Sequence, residues 1–273
     1  MFLLNLFLFF IFGTIVGSFL NVFVLRYNTN LSFAKGRSKC FSCGKELSWY
    51  ELVPIVSYFV FLGKCVGCKS KISLQYPIVE FITGLIFVLI FWKVGFTIFL
   101  PLYLFLGAIL IAISVYDILH KIIPDGMVFV FDIVALFLLI SLYYFGNLET
   151  GIGFANIFHK SGLLDLLSGP ILFSFFAFLW LVSSGKWMGF GDAKLALGVG
   201  WFLGLSGGIV SIMLAFWIGA LFSLIILALE KLKLSQLKLT IKSEVPFAPF
   251  IILALFIEFF TGWGTAQIGY LFF

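Results

Sequence analysis

The sequence predicts an all-α polytopic membrane protein of about eight transmembrane helices, with a small cytoplasmic zinc-binding domain between the first two. Three observations predict it. Of 273 residues, 63% are hydrophobic and 11% charged, with a mean hydropathy of +1.21. Soluble domains hold about 45–50% apolar and about 25% charged residues, so a soluble globular enzyme, a disordered chain and a collagen-like repeat are excluded. The apolar residues fall into runs near the roughly 20 residues a membrane helix needs. All four cysteines lie in the one substantial polar insertion, residues 27–75.

The runs place spans near residues 2–25, 76–92, 96–117, 126–145, 167–185, 192–205, 208–229 and 246–270. The first 25 residues carry no charge, and Arg26 follows the apolar run. A secretory signal carries its positive charge in front, so this segment reads as a retained span. Spans six and seven meet at Ser206-Gly207-Gly208, a hairpin. The chain thus divides into a first helix (1–26), a zinc-knuckle domain (27–75) and a transmembrane core (76–273).

Orientation follows from the excess of Lys and Arg in cytoplasmic loops. With the insertion inside and the N-terminus outside, 15 of the 17 basic residues face the cytoplasm, and only Lys93 and Lys160 lie opposite. Reversing the chain reverses the asymmetry.

Cys40-x-x-Cys43 and Cys65-x-x-Cys68 have the spacing of a four-thiolate tetrahedral zinc site. Gly44 and Gly67 suit the tight turns that aim paired sulfurs at one ion. Two disulfides, or an empty thiol cluster, are the alternatives; a reducing cytoplasm disfavours the disulfides. A closed four-cysteine site has no open coordination position, so its role is structural, supplying folding energy to a domain with little core. Lipid beside the basic surface explains its charge, and nucleic acid is not an expected partner.

Ionisable groups at membrane depth are costly and mark functional sites. Asp117 ends span three on the inner side. Asp192, in Gly189-Phe190-Gly191-Asp192, opens span six on the same side. Each of Asp125 and Asp192 can also be read as a helix N-cap. If spans three and six are neighbours, Asp117 and Asp192 face one another. Close like charges share a proton, so one carboxyl activates water and the other protonates the scissile carbonyl. Glu80, within span two, is expected to pair with a backbone group or a base. Asp132, seven residues after Asp125, sits on the same helical face and about 10 Å deeper, as a third acid or an independent contact. Glu258 has no evident partner, and His120 and Lys121 read as interfacial charges. Pro246 and Pro249 give span eight an irregular start, either a cavity wall near the acids or a simple helix beginning.

The ordered motifs resemble those of the bifunctional prepilin leader peptidase/N-methyltransferases, membrane aspartic peptidases of the GxGD type. They are Gly17-Ser18-Phe19-Leu20-Asn21 with Arg26, the two cysteine pairs flanking Trp49 to Pro54 and Ser57-Tyr58, Tyr76-Pro77 with Glu80, Asp117 with Ile123-Pro124-Asp125, Gly189 to Asp192 with Lys194, and Pro246 to Pro249. The resemblance implies a bacterial inner-membrane enzyme that removes the basic leader of type IV prepilins or pseudopilins, cutting after a Gly. It also implies N-methylation of the new N-terminal residue by S-adenosylmethionine. The implied catalytic pair is Asp117 and Asp192, and the implied zinc ligands are Cys40, Cys43, Cys65 and Cys68. No glycine-rich nucleotide loop is present, so the methyl-donor site rests on the resemblance, within or near the zinc domain. The competing classes are an ion- or proton-coupled transporter using intramembrane acids, and a non-catalytic membrane anchor for a zinc knuckle.

Overall fold

A computed structural model describes residues 1–29, 38–145, 163–231 and 245–263. The basic residues Lys35, Arg37, Lys160, Lys233, Lys238 and Lys242 lie outside them, as does the end of the eighth expected span. The helices are α1 (Phe2–Arg26), α2 (Val56–Val60), α3 (Gln75–Val94), α4 (Leu100–His120), α5 (Asp125–Phe145), α6 (Leu163–Ser183), α7 (Phe190–Lys231) and α8 (Ala248–Thr261). A 3-10 turn covers Trp49–Leu52. Among the described residues there is no strand, only two isolated bridges. Among the described residues six helices, α1 and α3 to α7, are long and apolar enough to cross a membrane, and α8 is a shorter apolar helix.

The chain forms two compact units, Met1–Val115 and Tyr116–Phe273. In the first, α1 and α3 pack antiparallel through small residues. A Cβ on Gly13 would lie 2.8 Å from Gly84 Cα, and one on Gly17 would lie 2.8 Å from Glu80 Cα. Apolar side chains gain nothing by leaving lipid for each other, so membrane helices associate where small residues let backbones touch. Asn21 donates to the Tyr76 carbonyl at 3.2 Å on the same seam. Gly17 and Asn21, part of the opening motif, therefore lock α1 to α3. Gly95, at φ 66, ends α3 by donating to Phe91 O, a left-handed cap that only glycine adopts without cost.

In the second unit, α7 is two helices merged across a break at Gly204 (φ 72, ψ −179). A Cβ on Gly208 would lie 3.5 Å from Gly200 Cα, whereas eight residues of straight helix span about 12 Å. The chain therefore doubles back, and the expected hairpin is present, with its turn two residues earlier than Ser206. The first arm runs antiparallel to α6. Phe190 packs on Trp180 with centroids 5.0 Å apart, Ser168 Oγ donates to Gly200 O at 2.7 Å, and Trp201 Nε1 donates to Leu166 O at 3.0 Å. The same unit holds a core of Leu172, Phe176, Ala193, Ala196 and Ile212. Helix α6 ends in left-handed residues Ser184 and Gly185, with Gly185 N–H bound to Trp180 O at 2.9 Å.

The tightest backbone-to-backbone approach among the described residues is at Gly200, where a Cβ would stand 2.7 Å from Gly169 Cα and N. Backbone cannot move aside as a side chain can. Gly200→Ala is expected to lower the stability of the detergent-solubilised protein by about 1–3 kcal/mol, read as an earlier thermal unfolding transition by circular dichroism.

Candidate functional site

Two groups of chemically capable residues stand out, one in each unit. In the first unit the chain makes the same turn twice. Cys40 N–H binds Lys45 O and Gly44 N–H binds Cys40 O, each at 2.9 Å; Cys65 N–H binds Ser70 O at 2.9 Å and Lys69 N–H binds Cys65 O at 3.0 Å. Bridges Lys39–Glu46 and Lys64–Lys71 close the two turns at equivalent places. The fifth residue of each is left-handed, Gly44 at φ 70 and Lys69 at φ 60. These turns bring all four Sγ atoms within 4.8 Å of one another, with Cys40 and Cys68 at 3.8 Å. Zinc–sulfur bonds of about 2.3 Å put tetrahedral sulfurs about 3.8 Å apart, so the donor set fits such an ion. Convergence of four sulfurs, rather than two separate pairs, favours a metal over disulfides.

The surroundings favour thiolate at Cys40 and Cys68, while Cys43, beside the other sulfurs, is pushed up to about 11. The backbone N–H groups of Cys43 and Ser42, with the Ser70 hydroxyl, hold the Cys40 thiol down at about 6. Beside the knuckles, Ser48 and Glu51 form a reciprocal capping box, which satisfies two helix-end donors. Lys45 pairs with the buried Glu51 carboxylate at 3.1 Å. The Ser48 N–H first, then Lys45, holds that carboxyl below its usual range.

Glu80 reaches out of α3 and accepts the Ile55 N–H at 2.7 Å, with a further bond from the Ser18 side chain. The expectation of a backbone partner holds. Ile55 is at φ 61, a costly place for a β-branched residue, and the Glu80 contact is what fixes it there. Pro54 gave no sign of this strain. The zinc turns, the end of α1 and the start of α3 enclose a cavity of about 770 Å³, whose wall includes Arg26, Phe41, Glu51, Tyr58, Phe61 and Tyr76.

In the second unit, Asp117 and Asp192 are both buried, at 3% and 5% exposure, and close enough that the charge of Asp117 acts on Asp192. Asp117 lies in the last turn of α4, which Lys121 closes at φ 54 with its N–H on Asp117 O. Asp192 lies in the first turn of α7. The Gly189-to-Asp192 turn is closed by Asp192 N–H on Gly189 O at 3.2 Å. Asp192 is thus inside the helix rather than capping it. The N–H of Ala248 donates to Asp117 Oδ2 at 3.3 Å. Ala248 opens α8, where N–H groups have no intrahelical acceptor, so this donor can serve the acid. The proline segment accordingly lies beside Asp117.

The other acids separate from this pair. Asp125 begins α5 and bonds Lys194 Nζ at 2.8 Å; it is not simply a cap. Asp132 is buried against Gly198, where any side chain would overlap it. Glu258 is buried, with a carboxylate oxygen 3.6 Å from where a Gly207 Cβ would stand. His120 is exposed and its ring lies 4.4 Å from that of Tyr116.

Two family models divide the chain: the bacterial peptidase A24 N-terminal domain matches residues 11–94, and the type IV leader peptidase family matches 104–224. A prepilin leader peptidase/N-methyltransferase of Pseudomonas aeruginosa is 30% identical over 275 residues, covering 92% of this chain and 88% of that protein. The chain belongs to the type IV leader peptidase family. The Bacillus subtilis protein of the same name is 31% identical over 244 residues, 89% of this chain and 88% of the relative. The Myxococcus xanthus protein matches more locally, 39% over 118 residues, 43% of this chain and 35% of the relative. No solved structure is a significant match. The ion- or proton-path alternative finds no support: the relatives are leader peptidases, and Glu80 is committed to Ile55.

Lys69 carries a left-handed backbone that its counterpart Gly44 adopts freely. Lys69→Gly is expected to stabilise the metal-loaded protein by about 1 kcal/mol, seen as slower metal release to a competing chelator.

Proposed function

We propose that this family member is a bifunctional inner-membrane enzyme that cleaves the basic leader of type IV prepilins or pseudopilins and methylates the new N-terminus. The observation that carries the peptidase reading is the burial of Asp117 and Asp192 in one unit, within each other's electrostatic reach. In this reading the two carboxyls hold one proton between them. One takes a proton from water as the oxygen attacks the scissile carbonyl; the other delivers a proton to that carbonyl. The first carboxyl, now protonated, passes its proton to the amide nitrogen as the C–N bond breaks, and the second takes back a proton from the diol, so the leader leaves with a carboxyl group, the pilin with a free amine, and the pair again holds one proton. The Ala248 N–H keeps Asp117 oriented.

The positive-inside distribution supports an N-terminus outside, with the insertion and both acids at the cytoplasmic face. A prepilin with a basic leader and an apolar helix suits that placement. The leader stays in the cytoplasm, the helix enters lipid, and the bond to be cut lies at the boundary. In this division of labour residues 1–26 anchor, 27–75 hold structural zinc through Cys40, Cys43, Cys65 and Cys68, and 76–273 supply the peptidase core.

For methylation, the relatives' names imply S-adenosylmethionine, which supplies an electrophilic methyl group on a sulfonium. The cavity beside the zinc turns is within the roughly 300–1,000 Å³ of small-molecule sites. Phe41, Tyr58 and Phe61 offer aromatic surface for an adenine, and Arg26 offers a cation for a carboxylate. That cavity lies in the first unit and the acid pair in the second, so the two activities are expected to separate.

With purified protein and a prepilin, Asp117→Asn and Asp192→Asn are each expected to reduce leader cleavage by at least about 10³-fold, while methyl transfer to already processed pilin persists. Cleavage surviving either substitution contradicts the pair. Phe61→Ala is expected to do the reverse, lowering methyl transfer and leaving cleavage intact. Elemental analysis is expected to find zinc, and Cys65→Ser to abolish it.

A further inference from the structure

The two acids come from distant parts of the chain, and the packing of their own helices leaves open what sets their spacing. Just beyond each acid, on the polar side, the structure makes two direct contacts between the α4–α5 connection and the start of α7. Lys194, two residues after Asp192, bonds Asp125, eight residues after Asp117, at 2.8 Å. Gly191, immediately before Asp192, meets Ile123 so closely that a Cβ there would lie 2.8 Å from Ile123 Cβ.

We propose that the Asp125–Lys194 ion pair and the Ile123–Gly191 contact form a two-point clasp that sets the separation of Asp117 and Asp192, making Asp125 and Lys194 positioning residues for peptide cleavage. This rests on the peptidase reading above and adds to it how the pair is held. Both contacts are well placed to transmit position. The connection is short and stiff: Lys121 terminates α4, Pro124 is buried, and the Met127 and Val128 N–H groups both bind Pro124 O at 3.1 Å. Lys194 is itself steadied from the other side, its ammonium 5.4 Å from the Phe190 ring centroid. Lys194 stands two residues from Asp192, and side chains at that spacing point to different sides of a helix. The ammonium therefore ties down the helix without neutralising the acid.

The pair contributes little to folding. The side chains are 34% and 71% exposed, and exposed ion pairs add little stability. Its removal should leave the fold in place and move only the geometry on which the reaction depends. Positional errors near 1 Å cost up to about 10²-fold in rate.

The test uses the full-length protein with a prepilin substrate, comparing Asp125→Asn, Lys194→Met, Gly191→Ala, and the reversed pair Asp125→Lys with Lys194→Asp. Thermal unfolding and bound zinc report on the fold. The expected result for Asp125→Asn and Lys194→Met is a fall in kcat of about tenfold or more, with KM within about twofold and an unchanged melt. The reversed pair regains most of the lost kcat, and Gly191→Ala lowers kcat with Lys194 intact. Wild-type kcat in both single variants, or a rise in KM alone, overturns the clasp. Asp192→Asn run alongside separates the two ideas. If it is inactive while the clasp variants behave as wild type, the clasp falls and the pair stands; if it still cleaves, the pair falls and the clasp with it.

Discussion

A carboxylate removed from water must find compensation, and two of them within reach of each other compound the difficulty. Burial penalises the charged form, and each negative charge penalises the other. A single proton held between two such groups relieves both costs at once, and it is also the arrangement that activates water and polarises a carbonyl. On the proposed peptidase reading, much of the second unit is the scaffold for that arrangement. Asp117 is delivered by the last turn of α4, Asp192 by a glycine-flanked turn into α7, and the opening N–H of α8 comes to Asp117. The doubling back at Gly204 seats the first arm of α7 against α6, with glycine on glycine at Gly200 and Gly169.

The first unit solves a different problem. A polar insertion of some fifty residues has too little apolar surface to fold on a core of its own, and it has to stay attached to helices in lipid. Four sulfurs converging on one point suit a structural metal, which would supply the missing cohesion, and the buried carboxylates of Glu51 and Glu80 tie the first turn to residues 49–52 and Ile55 to α3. Each of these acids is spent on local architecture. That distinguishes them from Asp117 and Asp192, which lie within each other's electrostatic reach.

Much of this was legible in the sequence, because lipid enforces simple rules. Apolar run lengths gave the helices, since spanning segments must satisfy their backbone internally. Cysteine spacing gave the knuckles, and the glycines around Asp192 marked a backbone that must bend. The tertiary contacts were not legible. Hydropathy says that a residue lies in a helix but not which helix it meets, so Asp125 looked like a cap and is instead the partner of Lys194, 69 residues away. Glu80 could be assigned a backbone partner in kind, but not Ile55 in particular. The equivalence of Lys69 with Gly44 was hidden, because a left-handed backbone at lysine leaves no compositional mark. Gly17 and Asn21 could be recognised as a motif, yet their purpose shows only where α1 touches α3.

The most direct measurement of the central claim is binding of a leader-spanning peptide in which the scissile amide is replaced by a hydroxyl-bearing tetrahedral carbon. Such a group mimics the species that two acids sharing a proton are built to hold, and transition-state mimics bind at least about 10²-fold more tightly than substrates. The account predicts that preference in the native protein and its collapse to the affinity of the plain peptide when either Asp117 or Asp192 is replaced by Asn. Equal affinity for the mimic and the plain peptide in the native protein, or an undiminished preference after either replacement, would contradict it.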